Sequence, residues 1–164
     1  MAMLIAIISD THLPRGSRAL PAACLARLRD ADLILHAGDL SALTVLDQLH
    51  EIGSPVYAVH GNVDDLAVRQ RLPEAVELDL TGSVVAMIHD AGPSQGRLKR
   101  LRARFPRADA VIFGHSHIPL HETGEDGFQI FNPGSPTERR RSPHHTMGLA
   151  RIENGSISFE LIVL

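Results

Sequence analysis

Short apolar runs rich in β-branched residues recur from the start of the chain to His117: MLIAIIS, DLILHAGD, PVYAVHGN, VVAMIHD and DAVIFGHSH. Between them lie SRALPAACLARLRD, ALTVLDQLHEI and SQGRLKRLRARF, each with apolar residues at helical spacing; in the last, Leu98, Leu101 and Phe105 mark one face. Alternation of strand and helix patterns predicts an α/β fold with a largely parallel sheet. Beyond His117 the pattern changes to strands alone, PLHETGEDGFQIF and TMGLARIENGSISFELIVL. Asn154-Gly155 predicts a tight hairpin turn in the second of these, and EAVELDLTGSVVAMIHD reads as another hairpin, turning at Thr81-Gly82. βα units followed by a meander of hairpins predict two packed mixed sheets with helices outside them.

The ends of the apolar runs carry the chemistry. The first ends in Asp10 and His12, the second in Asp39, the third in Asn62 and Asp64, the next in His89, and the last in His115 and His117. In α/β folds the carboxyl ends of strands face a common crevice, where ligands bind. Asp10 with His12, and His115 with His117, share an i, i+2 spacing that puts both side chains on one side of an extended backbone. Carboxylate, amide and imidazole together suit Mn, Fe, Zn, Ni or Co better than Ca or Mg. Seven candidates, Asp10, His12, Asp39, Asn62, His89, His115 and His117, exceed the four ligands of one tetrahedral ion. Two metals sharing a bridging carboxylate is the economical reading. Gly38, Gly61 and Gly114 precede Asp39, Asn62 and His115 and allow tight backbone there.

Length and composition narrow the classes. A chain of 164 residues, 44% hydrophobic and 21% charged, reads as one globular domain, 1–164, with a core of its own. Cys24 is the only cysteine, which rules out an intrachain disulfide and a cysteine-based zinc site; its apolar neighbours make it a core residue. MAMLIAII is too short to span a bilayer and has no basic leader, so no membrane association and a cytoplasmic location are expected. A net charge of -3 and 4% aromatics argue against a nucleic-acid partner. The basic run RLKRLRARFPR carries an apolar stripe and reads as an amphipathic helix with a solvated face.

The set Asp10-x-His12, Gly38-Asp39, Gly61-Asn62, His89 and Gly114-His115-x-His117 resembles the calcineurin-like metallophosphoesterases, especially their small single-domain bacterial and archaeal members. The likeness runs from Ser9 to the NPGS at Asn132 to Ser135. It implies a four-layer αββα sandwich and two divalent transition-metal ions, with manganese the first expectation. By the same resemblance Asp10, His12 and His117 would bind the first metal, Asn62, His89 and His115 the second, and Asp39 would bridge them with a water or hydroxide. The implied activity is hydrolysis of a small phosphate ester, a phosphodiester in preference to a phosphomonoester, by in-line attack of the bridging hydroxide. Two divalent ions less Asp10, Asp39 and a hydroxide leave roughly +1, which suits an anionic guest.

The chain departs from the family pattern in two places. Val63 stands where many members have a histidine that assists the leaving group, so no catalytic acid is assigned. Asp90 follows His89 where a glycine is common. The first departure supports an alternative reading, a non-catalytic metal-binding scaffold with a protein partner, like the retromer's metallophosphoesterase-like subunit. Asp64 is a candidate outer base or orienting group. Arg139, Arg140 and Arg141 either hold substrate phosphate or form a solvated loop. His36 and His60 read as core groups or supports for ligands, His50 as a helix end, and His121, His144 and His145 as surface residues.

Overall fold

The computed structural model describes all residues, Met1–Leu164. Strands β1 (Met3–Ile8), β2 (Leu33–His36) and β3 (Val56–Ala58) are parallel neighbours, connected through helices α1 (Ala22–Asp30) and α2 (Leu43–Glu51). The last two strands, β9 (Thr146–Glu153) and β10 (Ser156–Val163), return antiparallel on the other side of β1, giving the order β10-β9-β1-β2-β3. The second sheet takes the middle of the chain: β4 (Ala75–Leu80), β5 (Ser83–Ile88), β6 (Ala110–Ile112), β7 (Leu120–Thr123) and β8 (Gln129–Asn132), in the order β4-β5-β6-β8-β7. Both sheets are mixed, as the sequence predicts.

Strand alternation builds the layers. In β1, Ile5 and Ile7 face the second sheet and meet Val85, Met87, Ile112 and Phe131 there. Ala6 and Ile8 point the other way, against Cys24 and Leu28 of α1 and Val45, Leu46 and Leu49 of α2. The outer face of the second sheet, with Ala86, Ile88, Val111 and Ile130, packs on Leu101 and Phe105 at helix α4 (Arg97–Arg104). Strands buried on both faces explain why the sequence shows continuous apolar runs instead of strict alternation. Both predicted hairpin turns form, with Thr81, Gly82, Asn154 and Gly155 all at positive φ, as a two-residue hairpin turn requires.

One helix was not anticipated: α3 (Leu66–Arg71), whose first turn is capped by Asp65 accepting the Val68 N–H at 2.9 Å. The basic helix α4 does bury one face, but its polar face is less free than expected. Arg97, Arg100 and Arg102 donate to loop carbonyls at Gly92, Ala91, Pro93 and Ala108, and Arg97 and Arg102 lie over Phe113 and Phe128. No helix is long and apolar enough to cross a membrane.

Candidate metal centre

The seven predicted residues meet where β1, β2, β3, β5 and β6 end. They do so from loop backbone, which corrects the expectation of extended pairs: β1 stops at Ile8 and β6 at Ile112, and Asp10, His12, Asp39, His115 and His117 all have positive φ. A non-glycine residue held there costs roughly 1–3 kcal/mol and persists only where its surroundings fix it. Those surroundings are visible. The Asp10 N–H donates to Gly38 O at 2.9 Å, the His12 N–H to Asp39 O at 3.1 Å, and Ser135 Oγ donates to Asp10 O at 2.8 Å. The spacing signal was right about convergence and wrong about the backbone that produces it.

Each carboxylate has one oxygen held by the protein and one turned inward. Asp10 Oδ2 accepts from Ser9 Oγ at 2.7 Å and the His115 N–H at 3.0 Å. Asp10 Oδ1 is buried without a hydrogen-bond donor, 3.3 Å from His117 Nε2 and 3.8 Å from both His12 Nε2 and His89 Nε2. Asp39 Oδ1 accepts the Val63 N–H at 3.0 Å, leaving Oδ2 3.1 Å from His89 Nε2 and 3.9 Å from His12 Nε2. Asn62 Oδ1 lies 3.2 Å from His89 Nε2 and 3.1 Å from His115 Nδ1. His12 Nε2 and His117 Nε2 approach to 3.2 Å. The seven therefore form two linked groups, Asp10-His12-His117 and Asn62-His89-His115, with Asp39 between them and Asp10 Oδ1 reaching His89 as well.

The imidazoles are oriented from behind. His117 Nδ1 donates to Glu138 O at 2.6 Å and His89 Nδ1 to Ala37 O at 2.7 Å, which turns both Nε2 lone pairs into the centre. His36, fully buried, accepts the Gly38 N–H at Nδ1 and meets Thr11 Oγ1 through Nε2, joining the loops after β1 and β2. Burial drives its pKa down to about 3, so it stays neutral. Asp64 accepts three backbone N–H groups, those of Asp39, Ser41 and Gly61, and so orients the Asp39 loop. Asp90 is an exposed residue whose carboxylate accepts the Gly92 N–H.

Gly38, Gly61 and Gly114 are required by close approach: a Cβ on Gly61 would overlap Asp39 Oδ1 and lie 2.6 Å from the Asp39 backbone nitrogen. A Cβ on Gly114 would overlap Ser9 Oγ and lie 2.6 Å from Asp10 Oδ2; one on Gly38, at φ +100, would lie 2.6 Å from His89 Nδ1. The electrostatics follow the geometry. Burial opposes ionisation of Asp10 and Asp39, but the imidazoles of His117 and His12 at Asp10, and of His89 at Asp39, hold both carboxyls below their usual range. Burial works against a charge on His89 too, yet Asp39 and Asp10 raise its pKa. The sequence reading missed Glu138. Its carbonyl orients His117, its carboxylate lies 3.8 Å from His12 Nε2, and it pairs with Arg18 at 3.2 Å. Only its closeness to NPGS hinted at this.

Comparison with known proteins decides the family: the model of the calcineurin-like phosphoesterase superfamily domain matches residues 3–155. The chain belongs to the calcineurin-like phosphoesterase superfamily. A probable metallophosphoesterase of Methanothermobacter thermautotrophicus is 37% identical to this superfamily member, covering 98% of this chain and 92% of its own. Among solved structures, a wild-type Vps29 complexed with Zn2+ from Entamoeba histolytica is 24% identical with a TM-score of 0.78, covering 98% of this chain and 99% of that one. A structure described as a novel archaeal phosphodiesterase is 18% identical with a TM-score of 0.74, covering 99% and 100%. At those identities the two structures speak for the fold alone. Superfamily membership implies a metal-dependent phosphoesterase, and the structure brings two groups of donors together, Asp10-His12-His117 and Asp10-Asp39-His89.

Proposed function

We propose that this chain is a dinuclear metal-dependent phosphodiesterase in which Asp10, His12 and His117 hold one divalent ion, Asn62, His89 and His115 hold the other, and Asp39 reaches both. The observation that carries the reading is Asp10 Oδ1, a buried oxygen of a carboxylate kept ionised, with no donor of its own and three imidazole nitrogens at 3.3–3.8 Å. Because the outer nitrogens of His117 and His89 already donate to carbonyls, the inner nitrogens face the carboxylates. A divalent cation placed between them could take these nitrogens and the carboxylate oxygens together as ligands. Mixed oxygen and nitrogen donors suit a transition ion, manganese being the one to test first.

Bound there, two divalent ions would lower the pKa of a shared water and clamp phosphoryl oxygens. The residues' own part is to fix that arrangement in advance. Asp64 and His36 lock the loops, while the burial of Asp10, Asp39 and His117 excludes bulk water from the floor. Asn62 is exposed and His115 half-buried, so the open side of the centre is theirs. The small net positive charge suits an anionic phosphate ester.

The reading of the chain as a non-catalytic scaffold has Val63 on its side, since no proton donor stands there. Against it, the large exposed apolar residues do not make one face: Tyr57 is on β3 and Leu161 and Val163 on β10, opposite edges of one sheet, while Val63 and Leu66 follow β3 and Ile118 follows β6. Hydrolysis of bis(p-nitrophenyl) phosphate with Mn2+, compared with a chelated control and Asp39→Asn, tests the proposal. Metal-dependent turnover that falls on the order of 10²-fold or more in the variant is expected. No turnover in protein shown to hold its metal would transfer the reading to the scaffold.

A further inference from the structure

Two clefts, each of about 320 Å³, open on either side of the donor cluster, and their charges differ. One is lined by His60, Asn62, Arg69, Glu74, Asp90 and Arg104. There two arginines face two carboxylates, and Arg69 is already engaged with the carbonyls of Asp64 and Asn62 at 3.0 and 2.6 Å. The other is lined by His12, Arg15, Ser41, Val63, Glu138 and Arg140. Its one carboxylate, Glu138, is matched from behind by Arg18 at 3.2 Å, with both side chains about three-quarters buried (24% and 23% exposed). Arg15 contacts the same carboxylate only at 3.7 Å and is 67% exposed. Arg140 has no carboxylate partner within 4.0 Å; its one contact is a long hydrogen bond, 3.4 Å, to the His115 carbonyl. Three arginines against one carboxylate leave this cleft two positive charges, directly beside His12 and in front of the apolar Val63.

Of the three consecutive arginines, the structure singles out Arg140. Arg139 donates to Pro143 O, away from the cleft, and Arg141 is exposed and does not line it, whereas Arg140 does and sits at φ +48. We infer that the Val63-side cleft is a subsite for a second anionic group of the substrate, held by Arg140 with Arg15, so that the preferred phosphate ester carries another phosphate or carboxylate a few bonds from the scissile one. This inference rests on the reading of the cluster as a metal centre that takes the first phosphate. Guanidinium groups bind such anions through paired N–H donors, and a subsite of this kind selects among substrates without taking part in the bond change. Where a family histidine would touch the leaving group, this chain has cations that grip its far end.

The test uses two phosphonates of equal length, propylphosphonate and 3-phosphonopropionate, which differ by a terminal carboxylate. Their binding to the Mn2+-loaded protein is measured by calorimetry. Wild type should bind 3-phosphonopropionate roughly tenfold more tightly, the scale of one charge-assisted contact near the surface. The ratio should fall to near one in Arg140→Gly, which suits the positive φ, and in Arg140→Gln, and should shrink with added salt. Arg107→Gln, a change to an exposed residue paired with Glu77 outside the cleft, should keep the ratio. A ratio near one in wild type, or one that survives both Arg140 variants, would overturn the subsite. If propylphosphonate binds no better to loaded than to metal-stripped protein, the metal-centre reading fails first and the subsite falls with it.

Discussion

Asp64→Asn removes one charge and changes no shape, which makes it a sharp probe of how the centre is held. Asp64 Oδ2 accepts from the Gly61 N–H at 2.7 Å and the Asp39 N–H at 3.0 Å, and Oδ1 accepts from the Ser41 N–H at 2.7 Å. In the asparagine the remaining oxygen can keep the first two donors, now as a neutral and weaker acceptor. The amide NH2 then faces the Ser41 N–H, donor against donor. A hydrogen bond to a charged acceptor contributes about 1.5–3 kcal/mol, and leaving a buried donor unmet costs about 1–3 kcal/mol. Part of this is returned, because burial raises the pKa of Asp64 and so disfavours its charge in the fold. A net loss of about 2–4 kcal/mol follows, or roughly 2–4 °C in Tm for each kcal/mol in a chain of this size. Urea denaturation followed by circular dichroism measures it, with a manganese isotherm alongside, because the Asp39 loop is what Asp64 restrains. Asp90→Asn is the internal control: its exposed carboxylate accepts only the Gly92 N–H, and the change should stay within about 0.5 kcal/mol. If Asp64→Asn is equally silent in stability and metal affinity, the argument that this carboxylate orients the site is wrong.

Gly114→Ala should cost about 1–3 kcal/mol and weaken metal binding, since the new methyl displaces Asp10 or Ser9; wild-type stability and metal affinity in that variant would contradict the close approach. Cys24 is fully buried, and burial pushes its thiol up to about 12, so a thiol reagent at pH 8 should label it only as fast as the protein unfolds. The same shift sets a sign: the folded thiol stays protonated where the unfolded one ionises, so its contribution to stability is intact below about pH 9 and is lost as pH rises toward 12. Alkaline denaturation of a Cys24→Ala variant, showing a smaller loss over that range, checks it.

Much of the fold was legible because its strands are buried on both faces and its turns carry their own chemistry. Asn154-Gly155 favours positive φ on its own and Gly82 supports the other turn, so those hairpins could be placed from local sequence, although the positive φ of β-branched Thr81 is imposed by the paired strands. The α3 helix could not, since Leu66–Arg71 is short and buries only Val68. That these seven residues meet was legible because ligand-type residues ended successive apolar runs. What escaped was whatever depends on long-range approach: the left-handed backbone of Asp10, His12, His115 and His117, the role of Glu138 across 120 residues from Arg18, and the choice of Arg140 over its neighbours. Asp64 illustrates the boundary, since its place was visible while its three backbone donors come from one other loop and its own turn.

The seven clustered residues are divided between the two sheets. Asp10, His12, Asp39 and Asn62 follow strands of the first, and His89, His115 and His117 follow strands of the second. Neither half of the molecule owns a complete donor group: His117 must cross to Asp10 and His12, and Asn62 must cross to His89 and His115. Any cation gripped here is therefore a rivet through the seam. An assembly intermediate with one sheet formed would have almost no grip on it, and every increment of affinity in the finished protein is an equal increment of resistance to prying the sheets apart.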